Sequence, residues 1–208
     1  MLHALDISIL SWHDPAKRFS DAIVTDAVGK YFGLVIAYVI PGFIALWGMR
    51  PYVPTLDAWL TPSESLPAGI ESVVFVTLLA IGAGMTASAA RWLFIDSIHH
   101  AMGLRRPQWN DSALAANLAA FESLVDAHYR FYQFHANAII AIVIWYVLTL
   151  VSGGFAHGTS VTWTLVAAST IAMFFATSRN NLSQYYRRAS RLLGEPTGKE
   201  VRHVERPR

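Results

Sequence analysis

Ionisable side chains able to do acid–base or metal chemistry gather in two short runs. Asp96, His99 and His100 form the first, and Glu122, Asp126, His128, Arg130 and His135 the second. Imidazole nitrogen and carboxylate oxygen together can bind zinc or another divalent ion and activate a water. Asp96 and His100 stand four residues apart, and His128 and His135 two turns apart, so each pair shares a helix face. Asp96, His100 and His128 are therefore the candidate metal ligands, and with Asp126 the candidate catalytic groups. His99 fits this set least well. Imidazole also titrates near neutrality, so the same cluster can serve as a proton-sensing switch. The plainer expectation is that Asp96 pairs with Arg130, the histidines face lipid headgroups, and Glu122 and Asp126 solvate a helix surface.

The run His128-Tyr129-Arg130-Phe131-Tyr132-Gln133-Phe134-His135 is dense in aromatic residues, which favour the membrane–water interface. A second chemistry follows from it, in which Arg130 holds an anion or a lipid headgroup while Tyr129, Tyr132 and His135 surround it. Several established motifs are missing. There is no His-Glu-x-x-His, no phosphate loop, no Gly-x-Ser-x-Gly elbow and no serine triad. Gly82-Ala83-Gly84-Met85-Thr86-Ala87 matches a dinucleotide fingerprint but follows no strand, so it carries no such meaning. No cofactor is expected outside the metal reading.

Four apolar stretches must position these groups. No Asp, Glu, Lys or Arg occurs from Tyr31 to Met49, from Ser72 to Ala90, or from Phe131 to Ser178. A spanning helix needs roughly 20 mostly apolar residues, because each adds about 1.5 Å toward a hydrocarbon core about 30 Å thick. The first two gaps hold one crossing each. The third holds two, divided by Ser152-Gly153-Gly154 and His157-Gly158-Thr159-Ser160. With 54% hydrophobic and 14% charged residues the chain is richer in apolar and poorer in charged side chains than soluble domains. The predicted class is all-α, a polytopic membrane protein with four transmembrane helices.

Orientation follows from the basic residues near the crossings. Lys17, Arg18, Lys30, Arg91, Arg105, Arg106, Arg130, Arg179, Arg187, Arg188 and Arg191 fall on one side, against Arg50 on the other. Both termini are thus expected in the cytoplasm. The preference for Arg over Lys suits a bacterium of high genomic GC content, and the inner membrane is the expected location. The start lacks a basic region followed by an apolar one, so no cleavable signal is expected. The absence of cysteine excludes disulfides and thiolate chemistry. A net charge of +2 is too small to indicate nucleic acid.

The expected organisation is a cytoplasmic segment over 1–30 with an amphipathic helix in Asp14 to Lys30, a bundle over 31–178 that includes a cytoplasmic helical hairpin at 91–136, and a C-terminal helix and polar tail over 179–208. Crossings two, three and four should continue as cytoplasmic helices. Gly103 and Pro107 should end the first extension, and Asn110, Asp111 or Ser112 should cap the helix that leads into crossing three. The outer loop from Pro51 to Gly69, with four prolines, should hold little regular structure. Small residues recur on crossing two as Ala80, Gly84 and Ser88 and as Gly82, Thr86 and Ala90. Such faces let helix backbones approach closely in lipid, so this helix is expected at the centre or against a second copy. Pro41-Gly42 interrupts crossing one as a kink or hinge.

No charged residue lies deep in a crossing, which disfavours proton relays and ion-coupled transport. The reading these features favour is a homo-oligomeric sensor, effector or partner-docking subunit. A cytoplasmic protein bound near Asp96, Asp126 and Arg130 would bias the angle of crossings two and three, with the small-residue face as the sliding surface. A lipid-acting enzyme with a metal at the cytoplasmic face and an oligomeric pore are the alternatives. Membrane lipids are partners in every case.

Overall fold

A computed structural model of the chain describes residues 33, 35–61, 69–153 and 160–194. The amphipathic helix expected over Asp14 to Lys30, the loop prolines Pro62 and Pro67, and the polar tail beyond Gly194 lie outside the described residues. All regular structure among the described residues is helical: α1 (Val35–Tyr52), α2 (Pro54–Leu60), α3 (Ile70–Ala101), α4 (Asp111–Ala116), α5 (Leu118–Val151) and α6 (Ser160–Leu193). The helices α1, α3, α5 and α6 are long and apolar enough to cross a membrane. With 18 residues, α1 reaches about 27 Å, whereas the 32 to 34 residues of the other three reach about 48–51 Å. Those three overshoot a hydrocarbon core of about 30 Å by more than ten residues each.

The charge-free stretches lie side by side. Near one end the Tyr52 hydroxyl donates to the Leu148 carbonyl at 2.8 Å, and the Trp145 and Trp163 rings meet edge to face. Near the other end Gly33 packs against the Arg130 side chain. Among the long helices α5 is the hub, packed against α1, α3 and α6. The central position expected for crossing two therefore belongs to crossing three. Small side chains of α3 face inward along one narrow stripe, Ala80, Gly84 and Ala87, and α1 occupies it. The rest of that helix presents Phe75, Leu78, Leu79 and Met85 outward.

Close approach explains why Gly42 and Gly84 have no side chain. A Cβ on Gly42 would lie 1.7 Å from the Ala80 carbonyl oxygen, and one on Gly84 would lie 2.0 Å from that of Tyr38. Pro41 sets up the same crossing. Having no N–H, it cannot bond the carbonyl four residues earlier, that of Ala37. Just there α1 widens into a π-helical turn over Val35–Val39, and Asn137 of α5 donates its Nδ2 to the Ala37 oxygen at 2.8 Å. Pro41 and Gly42 are both buried in this contact. The bend is thus packed on both sides, which suits a fixed kink rather than a free hinge.

The described part of the loop after α1, up to residue 61, is more regular than its prolines suggest. Pro54 takes the first position of α2, where its missing donor costs nothing. Asp57 pairs with Arg50 at 3.3 Å, and Trp59 stacks on Phe75 of α3.

At the other end the expected signals operate. Gly103, at φ +91°, closes α3, with Leu104 N–H donating to the His99 carbonyl and Gly103 N–H to that of His100. Asn110 accepts from the Ser112 N–H and caps α4. The following helix is not continuous as expected, because it breaks at Asn117, whose Nδ2 donates back to the Ala113 carbonyl. Crossing four continues as expected, since α6 runs unbroken through Leu193. The three projecting ends share a core of Ile95, Leu124, Tyr132, Leu182, Tyr185 and Ala189, with Trp109, Phe121 and Tyr129 packed against it.

Candidate functional site

Tyr132 is the focus where the projecting ends meet the bundle. Its hydroxyl donates to Asp96 Oδ1, and the Arg91 guanidinium lies 5.2 Å over its ring. Arg91 Nε is 3.8 Å from Asp96 Oδ1, an ion pair too long for a hydrogen bond. Arg91 is only 5% exposed, yet its Nε and Nη1 have no hydrogen-bond partner. In the sequence Arg91 counts only as one of the basic residues flanking the crossings. Instead it turns inward, while Trp92, Leu93, Phe94 and Ile98 beyond it face outward.

A π-helical turn over Trp92–Asp96 makes this geometry. In an unbroken α-helix residues five apart diverge by about 140°, so Arg91 and Asp96 could not both face Tyr132. The wider turn accommodates one extra residue and rotates everything after it by about 100°. The same rotation carries His99 inside and His100 outside. His99 is fully buried, with its Nε2 3.0 Å from Ser178 Oγ and its ring against Phe175. Ser178 donates its own proton to the Phe175 carbonyl, so it accepts from His99 and fixes the Nε2–H tautomer. His99 Nδ1 is left without a partner. His99 was the least favoured candidate and is the buried one; the phase shift that places it has no signature in residue spacing.

The other candidates disperse. His100 is exposed, its Nε2 3.4 Å from the Tyr186 hydroxyl. His128 is half-buried and its Nε2 lacks a partner. Asp126 pairs with Arg130 one turn along the helix, so the expected pairing of Asp96 with Arg130 is replaced by Asp96 with Arg91. Tyr129 joins Tyr132 and Tyr185 in the aromatic core. His135 bonds the Phe131 carbonyl at 2.6 Å and packs on Phe174 of α6. Arg130, by contrast, runs past Gly33 toward α1. The four residues expected to form a headgroup pocket thus point to different neighbours. Among the described residues no three His, Asp or Glu side chains come together where a metal ion could sit.

Along the small-residue stripes, Ala80 and Gly84 contact α1 and Ser88 is half-buried, whereas Gly82 and Thr86 face outward. Thr86 bonds the Gly82 carbonyl of its own helix.

Two further features were not legible as a site. Gln184, Arg187, Arg188 and Arg191 line a shallow concavity on the projecting part of α6, and among the described residues none of these arginines has an acidic partner within ion-pair distance. Arg179 donates its Nη2 to the Met102 carbonyl at 3.0 Å, tying α6 to the end of α3. Comparison with known proteins found no matching family model, no matching curated protein and no matching solved structure.

Proposed function

We propose that this chain is a multi-pass protein of a bacterial inner membrane, with both termini cytoplasmic, whose projecting helical module docks an acidic protein partner and passes that state to the bundle. The single observation carrying this reading is the continuity of α3, α5 and α6 beyond their charge-free stretches into one aromatic-cored unit with an arginine face that has no acidic partner among the described residues. Basic residues concentrated on this side favour its retention in the cytoplasm. The Arg91–Asp96–Tyr132 cluster couples module to bundle, because any tilt of α3 against α5 breaks a buried polar contact.

Photocrosslinking in cells tests the docking. A photoreactive residue at Gln184 is expected to give a discrete protein adduct that disappears when Arg187, Arg188 and Arg191 are all changed to Gln. The same residue at the apolar, exposed Met173 is expected to give none. No adduct at Gln184, or one indifferent to the arginines, refutes the reading.

Self-association is supported by the outward position of Gly82 and Thr86 on an otherwise apolar face of α3. Native mass spectrometry from nanodiscs reads the copy number directly. A copy number of one removes both self-association and an oligomeric pore.

A further inference from the structure

The inward positions of α3 run Ser72, Val76, Ala80, Gly84, Ala87 and Arg91, an ordinary helical spacing, and then Ile95 and His99. Continued as an α-helix from Arg91, the inward side would hold Ile98, within about 20° of Arg91, and His99 would lie about 80° away. The π-helical turn reverses this. His99 is buried and Ile98 is 45% exposed, so an imidazole is inside and an isoleucine outside.

Each register has its own balance. The π register gains the Tyr132–Asp96 and His99–Ser178 hydrogen bonds. It also leaves Arg91 Nε, Arg91 Nη1 and His99 Nδ1 buried without partners. The α register frees His99 to solvent and buries Ile98 against Phe175, but parts Asp96 from Tyr132. Apolar burial then replaces polar satisfaction, and both terms are a few kcal/mol at most.

We infer that α3 is a two-register helix. Loss of the π-helical turn at Trp92–Asp96 rotates the segment from Ser97 to Met102 by about 100°, exchanging His99 for Ile98 at the Ser178 contact of α6. The rotation breaks the Arg179–Met102 tie and turns the connection that carries Arg105 and Arg106. A ligand or partner that prefers one orientation of this end selects one register. This goes beyond the docking reading and does not depend on it, because the two registers are a property of the isolated chain.

The experiment uses the full chain in nanodiscs, whose lack of cysteine allows clean labelling. Spin labels at the exposed positions Met102 and Phe131 report rotation of α3 against α5. A point on a helix surface about 5–6 Å from the axis moves about 8 Å when turned by 100°. Tyr132→Phe removes the bond that favours the π register, whereas deletion of Leu93 removes the extra residue, so that His99 falls seven residues after Arg91 and stays inward on an unbroken α-helix with one register only. The expected result is a second inter-label distance, resolved from the first by several ångströms, that gains population in Tyr132→Phe and is absent from the deletion variant. One unchanged distance shared by wild type and Tyr132→Phe overturns the inference, whether or not the deletion variant folds. So does a deletion variant that folds and still shows the second distance.

Discussion

Replacing Gly84 with alanine is the sharpest probe of the α1–α3 crossing. The new Cβ would stand 2.0 Å from the Tyr38 carbonyl oxygen, and ordinary contact begins at 3.4 Å. The obstacle is backbone on both sides, so no side-chain rotation relieves it and the helices must part. A gap of about 0.5–1 Å already forfeits about a quarter to a half of the attraction between facing atoms. Overpacking of this kind costs about 1–3 kcal/mol. Gly82 supplies the control on the same helix, since a Cβ there meets nothing within 4 Å. Gly82→Ala should therefore gain the usual helical preference of alanine, about 0.5–1 kcal/mol. Because the helical gain of alanine is common to both, the two variants should differ by about 1–3 kcal/mol in unfolding free energy. Denaturation by SDS in mixed micelles, followed through the seven tryptophans, measures both. If Gly84→Ala falls within about 0.5 kcal/mol of Gly82→Ala, an ordinary measure of surface neutrality, the close crossing is refuted.

Asn137→Ala should cost about 1–2 kcal/mol by leaving the Ala37 carbonyl without its donor, and much of that cost should vanish in a Pro41→Ala background, where the helix can supply an N–H; a double-mutant cycle by the same denaturation reads the coupling. Tyr132→Phe should destabilise by about 1–3 kcal/mol through the stranded Asp96 carboxylate, whereas Asp126→Asn, at an exposed one-turn pair, should change stability by less than about 0.5 kcal/mol. Reporter fusions should find the C-terminus cytoplasmic and residues of α2 external; the reverse pattern would sink the orientation argument.

The charge gaps were enough to locate all four long helices, because hydrocarbon excludes charge wherever a side chain faces it. They were not enough to say which helix is the hub. Small residues on α3 signalled a close neighbour, and three-dimensional packing places α1 on the stripe of Ala80 and Gly84. Turn chemistry was legible at Gly103 and Asn110, where a single residue type satisfies the local backbone. The candidate site was legible as a neighbourhood and misread in its members. Asp96 was expected to meet Arg130, and helical spacing favoured His100 over His99. Both errors have one origin, since a π-helical turn shifts the phase of every residue after it, and its cost and benefit are tertiary. Among the described residues the π-helical turns, over Val35–Val39, Trp92–Asp96 and Val125–Tyr129, all fall at the end of the bundle where Arg91, His99 and Asn137 are buried.

The unequal attachment of the long helices has a mechanical consequence. α1 and α3 are fastened backbone to backbone at Gly42 and Gly84, which leaves that pair little room to slide. By contrast, across residues 161–177 of α6 only Ala167 is buried, and the helix rides on α5 as on a single bearing. From Arg179 to Leu193 it then extends about 22 Å as a stiff arm. A swing of about 5° at the bearing displaces the tip of such an arm by about 2 Å, more than a buried hydrogen bond tolerates. One half of the molecule is a fixed frame, and the other carries its arginines on an arm held by the shared aromatic core rather than by the spanning stretch.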